Sequence, residues 1–101
     1  MMLNIDLVKN DSGAELIMTG EIDANTAPDA DAILKDACDR FNILTLNMAQ
    51  VEYISSAGLR TLKRANLNMR RKGGTLQLKG VTKSVMEVLE LTGFAMMFKY
   101  V

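Results

Sequence analysis

The side chains best placed for chemistry in this sequence are two adjacent hydroxyls, Ser55 and Ser56, followed at once by the small residues Ala57 and Gly58. They stand where an apolar segment ends and a helical pattern begins, so free backbone N–H groups and the positive end of a helix dipole converge on them. Such a place stabilises negative charge. A phosphate on Ser56 would gain hydrogen bonds from those amides while adding roughly −1.5 to −2 charges. Ala57 and Gly58 would let another protein's backbone, or nucleotide phosphates held by a kinase, come close to the hydroxyl. A plainer role competes: a serine ahead of a helix is most often its N-cap, worth about 1 kcal/mol, and on the residues alone the N-cap is the stronger reading.

Composition narrows the remaining chemistry. The chain contains no histidine, which removes Ser-His and Cys-His nucleophile pairs and the commonest general base, and leaves a metal site only Cys38 and carboxylates. Lys63, seven residues after Ser56, lies about two turns along a regular helix, too far to activate that hydroxyl directly. Hydrolase and zinc readings are therefore disfavoured, and the expectation is a protein that is not an enzyme. Lysine plus arginine and aspartate plus glutamate stand at 12 each, so no global field draws the chain to nucleic acid or to an anionic membrane. No apolar run approaches the roughly 20 residues of a bilayer span. The opening residues lack the pattern of a signal peptide, and the single Cys38 has no internal disulfide partner, so the cytoplasm is the expected compartment. At 101 residues the chain is expected to fold as one compact domain over 1–101.

The elements that must position Ser55 and Ser56 follow from periodicity. Leu3, Ile5 and Leu7 alternate with Asn4, Asp6 and Val8, and residues 14–19 alternate again after a polar turn, as a β-hairpin does. Residues 20–25 read as a loop. Thr26 with Asp29 three positions on resembles a capping box, and Ala30, Ile33, Leu34, Ala37, Cys38 and Phe41 then predict a helix with one continuous buried stripe. Residues 43–48 are apolar on both faces, as expected of a central strand, and 49–53 lead away from it. A second helix is predicted from Ala57 to about Arg71, stopped by Gly73-Gly74. A strand over 75–79, a helix capped by Thr82 or Ser84 and closed at Gly93, and an apolar strand over 96–101 complete the order ββαβαβαβ. Strands alternating with helices after an opening hairpin predict an α/β fold, a mixed sheet with helices packed on it.

With these elements in place, two segments resemble the STAS domain family, and within it the stand-alone anti-sigma-factor antagonists of bacteria. Leu16-Ile17-Met18-Thr19-Gly20-Glu21-Ile22-Asp23 with Thr26-Ala27 is similar to the family's apolar strand, Gly-Glu-Leu/Ile-Asp turn and first helix. Leu44-Thr45-Leu46-Asn47-Met48 through Val51-Tyr53-Ile54-Ser55-Ser56-Ala57-Gly58-Leu59 is similar to its central strand and Asp-Ser-Ser/Thr-Gly-Leu turn, and Leu89-Thr92-Gly93-Phe94 resembles its last-helix ending. The resemblance reverses the order of the two readings of the serine turn. It implies phosphorylation at Ser56, two positions before the turn glycine, with Ser55 as runner-up. Ser55 stands where the family has aspartate, and Ala57 where it has a second Ser or Thr, so the turn carries one negative charge fewer.

The resemblance further implies partner switching. The unmodified protein binds an anti-sigma factor serine kinase of GHKL type and frees its sigma factor; phosphorylation by that kinase breaks the complex, and a PP2C-type phosphatase resets it, the nucleotide belonging to the kinase so that this chain needs no cofactor. The partner-facing candidates are Asp23, Thr26, Ser55, Ser56, Ala57, Gly58, Leu59 and Arg60, although Asp23 also suits loop ordering, Leu59 a core position and Arg60 a solvated charge. The other role open to this family is an unphosphorylated scaffold or regulatory subunit of a membrane transporter or lipid-transport complex. Many family members carry a further helix after the last strand. Its absence from this sequence would leave apolar surface around Met96, Met97 and Phe98 for a weak homodimer or a partner.

Overall fold

The structure, a computed structural model, describes residues 2–101. Strands β1 (Leu3–Lys9) and β2 (Ala14–Ile22) form the predicted hairpin. Asn10 closes its turn, the Oδ1 accepting from the backbone N–H groups of Ser12 at 3.0 Å and Gly13 at 2.8 Å. Helix α1 (Ala27–Arg40), strand β3 (Ile43–Ile54), helix α2 (Ser56–Arg71), strand β4 (Thr75–Lys79), helix α3 (Lys83–Leu91), a 3₁₀ turn (Ala95–Met97) and strand β5 (Lys99–Tyr100) follow in that order. The 5-stranded sheet runs β1-β2-β3-β4-β5, antiparallel between β1 and β2 and parallel elsewhere. This is the expected mixed sheet, opened by a hairpin, with helices packed on it.

Strand registration builds the core. Ala14 and Leu16 pair with Leu44 and Leu46, which pair in turn with Leu76 and Leu78, so one face of the sheet is a continuous apolar floor. All six residues are buried, together with Leu34, Ala37 and Cys38 of α1, Leu62 and Met69 of α2, and Val85 and Leu89 of α3. Helices α1 and α2 pack against each other, and α3 packs against β3. The opposite face is polar. There Glu15 accepts from the Asn47 amide at 2.9 Å and from Lys79 Nζ at 3.4 Å, and Gln77 donates to Thr45 Oγ1 at 2.9 Å.

Four local expectations are corrected. Strand β3 runs to Ile54 rather than ending at Met48, and residues 20–22, expected in a loop, extend β2 to Ile22, because register shifts between Ile17 and Thr19 and between Gly20 and Glu21 let the two strand ends pair. Such bulges bend a strand without ending it. Ile33 is 40% exposed and breaks the predicted α1 stripe; α2 covers the flank of α1 that carries Asp31 and Cys38. The apolar tail is a 3₁₀ turn followed by a two-residue strand rather than a strand over 96–101. Within it Phe98 is buried while Met96 is 93% exposed. The fourth correction, at Thr26, belongs to the site.

Candidate functional site

The bulged pairing brings the C-terminal ends of β2 and β3 side by side, with Ile22 opposite Ile54. Each strand hands over there to a helix, so the turn before α1 and the turn before α2 are neighbours. The Ser55 N–H donates to the Ile22 carbonyl at 2.9 Å and ties them together. Gly58 lies against the same carbonyl, so close that a β-carbon would stand 2.5 Å from the oxygen and 2.7 Å from the Ile54 side chain. The glycine is there because the strand and helix backbones touch.

In the first turn, Asp23 and Thr26 hold the loop rather than cap the helix. Asp23 Oδ1 accepts from the N–H groups of Asn25 at 2.9 Å and Thr26 at 3.1 Å. Thr26 Oγ1 accepts from the Asp23 N–H at 2.9 Å and donates to the Glu21 carbonyl at 2.9 Å. The expected capping box is absent: Thr26 sits at the N-cap in helical backbone geometry and makes no side-chain cap bond. Its hydroxyl satisfies the buried backbone of the strand end instead, and the residue is itself buried.

The two serines of the second turn divide their duties. Ser55, in extended backbone geometry, is the N-cap of α2; its Oγ accepts from the Gly58 N–H at 3.3 Å, and its carbonyl accepts from Leu59 N–H at 2.9 Å. Ser56 is the first residue of the helix, is exposed, and its hydroxyl has no hydrogen-bond partner among the described residues. No acidic residue lies in the first turn of α2, so the helix itself supplies no carboxylate to offset the positive end of its dipole. Ser55 does what a capping aspartate would do there, without the charge.

The remaining predicted residues separate by exposure. Arg60 is exposed, whereas Ala57 and Asp23 are half-buried. Leu59 is 3% exposed and Gly58 is buried, so these two support the turn from the core and present no side chain at the surface. Two residues at this end were not singled out from the sequence. Tyr53, 50% exposed and paired in register with Glu21, stands one strand position before the turn; an aromatic between the apolar Val51 and Ile54 was the available signal. Thr61, buried in α2, donates from its hydroxyl to the Ala57 carbonyl at 3.3 Å and steadies the helix start.

Two further groups have shifted acidities. Hydrogen bonding to the Asn47 amide, helped by Lys79, holds the Glu15 carboxyl below its ordinary range against the opposing effect of burial. Burial, reinforced by Asp39, pushes the Cys38 thiol upward and keeps it protonated.

Known proteins are similar to this chain in sequence and share its fold. The anti-sigma-B factor antagonist of Bacillus subtilis is 25% identical over 93 residues, spanning 92% of this chain and 85% of the relative. The crystal structure of an anti-sigma factor antagonist from Mycobacterium paratuberculosis superposes with a TM-score of 0.87 at 21% identity, covering 98% of this chain and 85% of that one. The phosphorylated form of the Bacillus cell fate determinant SpoIIAA superposes with a TM-score of 0.74 at 13% identity, covering 97% and 91%. The STAS domain model matches residues 4–100, nearly every residue that builds the sheet, its helices and the paired turns, and the chain belongs to the STAS domain family.

Proposed function

We propose that this chain is an anti-sigma factor antagonist that regulates transcription by phosphorylation-dependent partner switching, with Ser56 as the phosphate acceptor. The observation that carries the reading is the division of labour at the turn: Ser55 caps α2, leaving the Ser56 hydroxyl exposed and uncommitted over the positive end of the helix. A phosphate there gains amide and dipole interactions without breaking a bond of the fold. Ser55 is the poorer acceptor because its oxygen already serves Gly58.

The partner is an anti-sigma factor, here one with GHKL-type serine kinase activity. It supplies the ATP, whose γ-phosphoryl group forms a P–O bond to Ser56 Oγ as the bond to ADP breaks and the hydroxyl proton passes to a base on the kinase. A PP2C-type phosphatase hydrolyses the ester and restores binding. The chain itself contributes recognition and an acceptor, not catalysis, and acts in the cytoplasm. Asp23, Ser56, Arg60 and Tyr53 at the strand ends are the surface the kinase reads.

Incubation with the co-encoded anti-sigma kinase and ATP, followed by mass spectrometry, is expected to place one phosphate on Ser56. In titrations Ser56→Ala binds the kinase and is not released by ATP, whereas Ser56→Asp binds weakly. Phosphate on neither serine, or equal affinity of the two variants, would count against the reading.

A further inference from the structure

Several cations of this fold have a partner where they stand, as Lys79 has in Glu15. On α1, Lys35 pairs with Asp39 at 3.6 Å and Arg40 with Asp36 at 3.2 Å, each one helical turn apart. Arg64 of α2 reaches across to Asp31 with contacts of 2.6 and 3.3 Å, Arg70 donates to the Met97 carbonyl, and Lys72 donates to the carbonyls of Cys38 and Phe41. Arg60, Lys63 and Arg71 have none among the described residues, and unlike Lys9, Lys83 and Lys99, which are also unpartnered but lie on other elements, they share one helix. All three are exposed, and among the described residues no carboxylate or hydrogen-bond acceptor partners them. Helix α2 contains no acidic residue at all.

These three cations share one stripe. At 3.6 residues per turn Ser56, Arg60, Lys63, Leu67 and Arg71 fall within an arc of about 80° along about 22 Å of helix. Leu67 is half-buried, an apolar step in the middle of the positive line. Ser56 stands at its head, and Arg60 follows at i+4, the spacing at which an anion and a cation on a helix meet.

We propose that this stripe of α2 docks a carboxylate-rich protein surface, and that phosphate on Ser56 closes it by drawing Arg60 into an ion pair and setting negative charge against the incoming carboxylates. The second half rests on Ser56 being the acceptor, as in the proposed function; the first half does not. Three unpaired cations become roughly one to one-and-a-half net positive charges once phosphate is present. A protein partner fits better than the other polyanions. Nucleic acid affinity comes from many simultaneous phosphate contacts, and the overall charge balances at 12 against 12. Membrane surfaces require an apolar helix face for insertion, and that of α2 is already spent on the core.

The test measures binding of a poly-glutamate peptide to the full chain by NMR at low and higher salt, alongside duplex DNA and phosphatidylglycerol vesicles. The expected result is amide shifts concentrated on α2, affinity that falls with salt, and a loss of about tenfold or more in Lys63→Glu/Arg71→Glu. The control Lys83→Glu on α3 should bind as the parent does, and thermal midpoints identify any variant that fails to fold. Shifts away from α2, or undiminished affinity in the folded double variant, overturn the stripe. Tighter binding of DNA or vesicles through the same residues overturns the choice of a protein partner.

A parallel titration with the co-encoded anti-sigma factor separates the two proposals. Binding that the double variant does not weaken removes the stripe and leaves partner switching in place. Peptide binding mapped to α2, with no anti-sigma factor bound and no phosphate accepted, removes switching and leaves the stripe. Ser56→Asp should weaken the peptide several-fold, and equal affinity would overturn the regulatory half.

Discussion

Gly58 presses against the carbonyl of Ile22, the same oxygen that accepts the Ser55 N–H, so the last residue of β2 sets the position of the first turn of α2. The turn that carries Ser56 is thereby braced against the turn that carries Asp23. Gly58→Ala is expected to destabilise the fold, since overpacking against backbone costs about 1–3 kcal/mol and the gain in helix propensity, about 1 kcal/mol, offsets only part of it. Denaturant unfolding checks the sign: a raised midpoint would mean that the two turns have room to separate.

The two serines should respond oppositely to alanine. Ser55→Ala removes the cap of α2 and is expected to cost about 1 kcal/mol while Ser56 still accepts phosphate. Ser56→Ala, on the exposed face, should change stability by no more than about 0.5 kcal/mol and abolish phosphorylation. Ser55→Asp keeps a capping oxygen and adds charge at the helix start, for a gain of about 0.3–1 kcal/mol. Urea melts beside phosphopeptide mapping resolve all three, and a large stability loss in Ser56→Ala would contradict the assignment of the cap to Ser55.

Thr26 is a second test of the paired turns. Thr26→Val preserves shape but strands the Glu21 carbonyl and the Asp23 N–H, each left unpaired at about 1–3 kcal/mol where water cannot reach it. Thr26→Ser retains both bonds and should lose only about 0.8 kcal/mol for its methyl group. Similar melting temperatures for the two variants would show that the hydroxyl is dispensable.

On the polar face of the sheet, Glu15 predicts a pH dependence. Its carboxyl is held below the ordinary glutamate range by Asn47 first and Lys79 second. A group whose pKa is depressed on folding contributes stability above its unfolded value, and the contribution disappears as pH falls through the folded one. Glu15→Gln is therefore expected to flatten the acid limb of the stability profile and leave its neutral region unchanged in slope. Denaturant midpoints across a pH series measure this; an identical acid limb in parent and variant would rule Glu15 out as a contributor.

The sequence sufficed to lay out the order of elements, the hairpin, the amphipathic α2 and the place of the serine pair, because these depend on local periodicity and on turn residues that act within a few positions. It also pointed to the STAS resemblance through two local segments. Which residues those segments spend on the fold depends on long-range packing. Thr26 looked like a cap and instead holds a strand end, because a bulge lets β3 continue beside β2 as far as Ile54. Leu59 left a core position and a partner contact both open and lies in the core, and Ile33 looked buried and is not, since which flank of a helix is covered depends on its neighbour's position. The unpaired state of Arg60, Lys63 and Arg71 was equally out of reach. A cation's partner can come from a distant segment, as Asp31 does for Arg64, and only the folded chain shows which cations receive one.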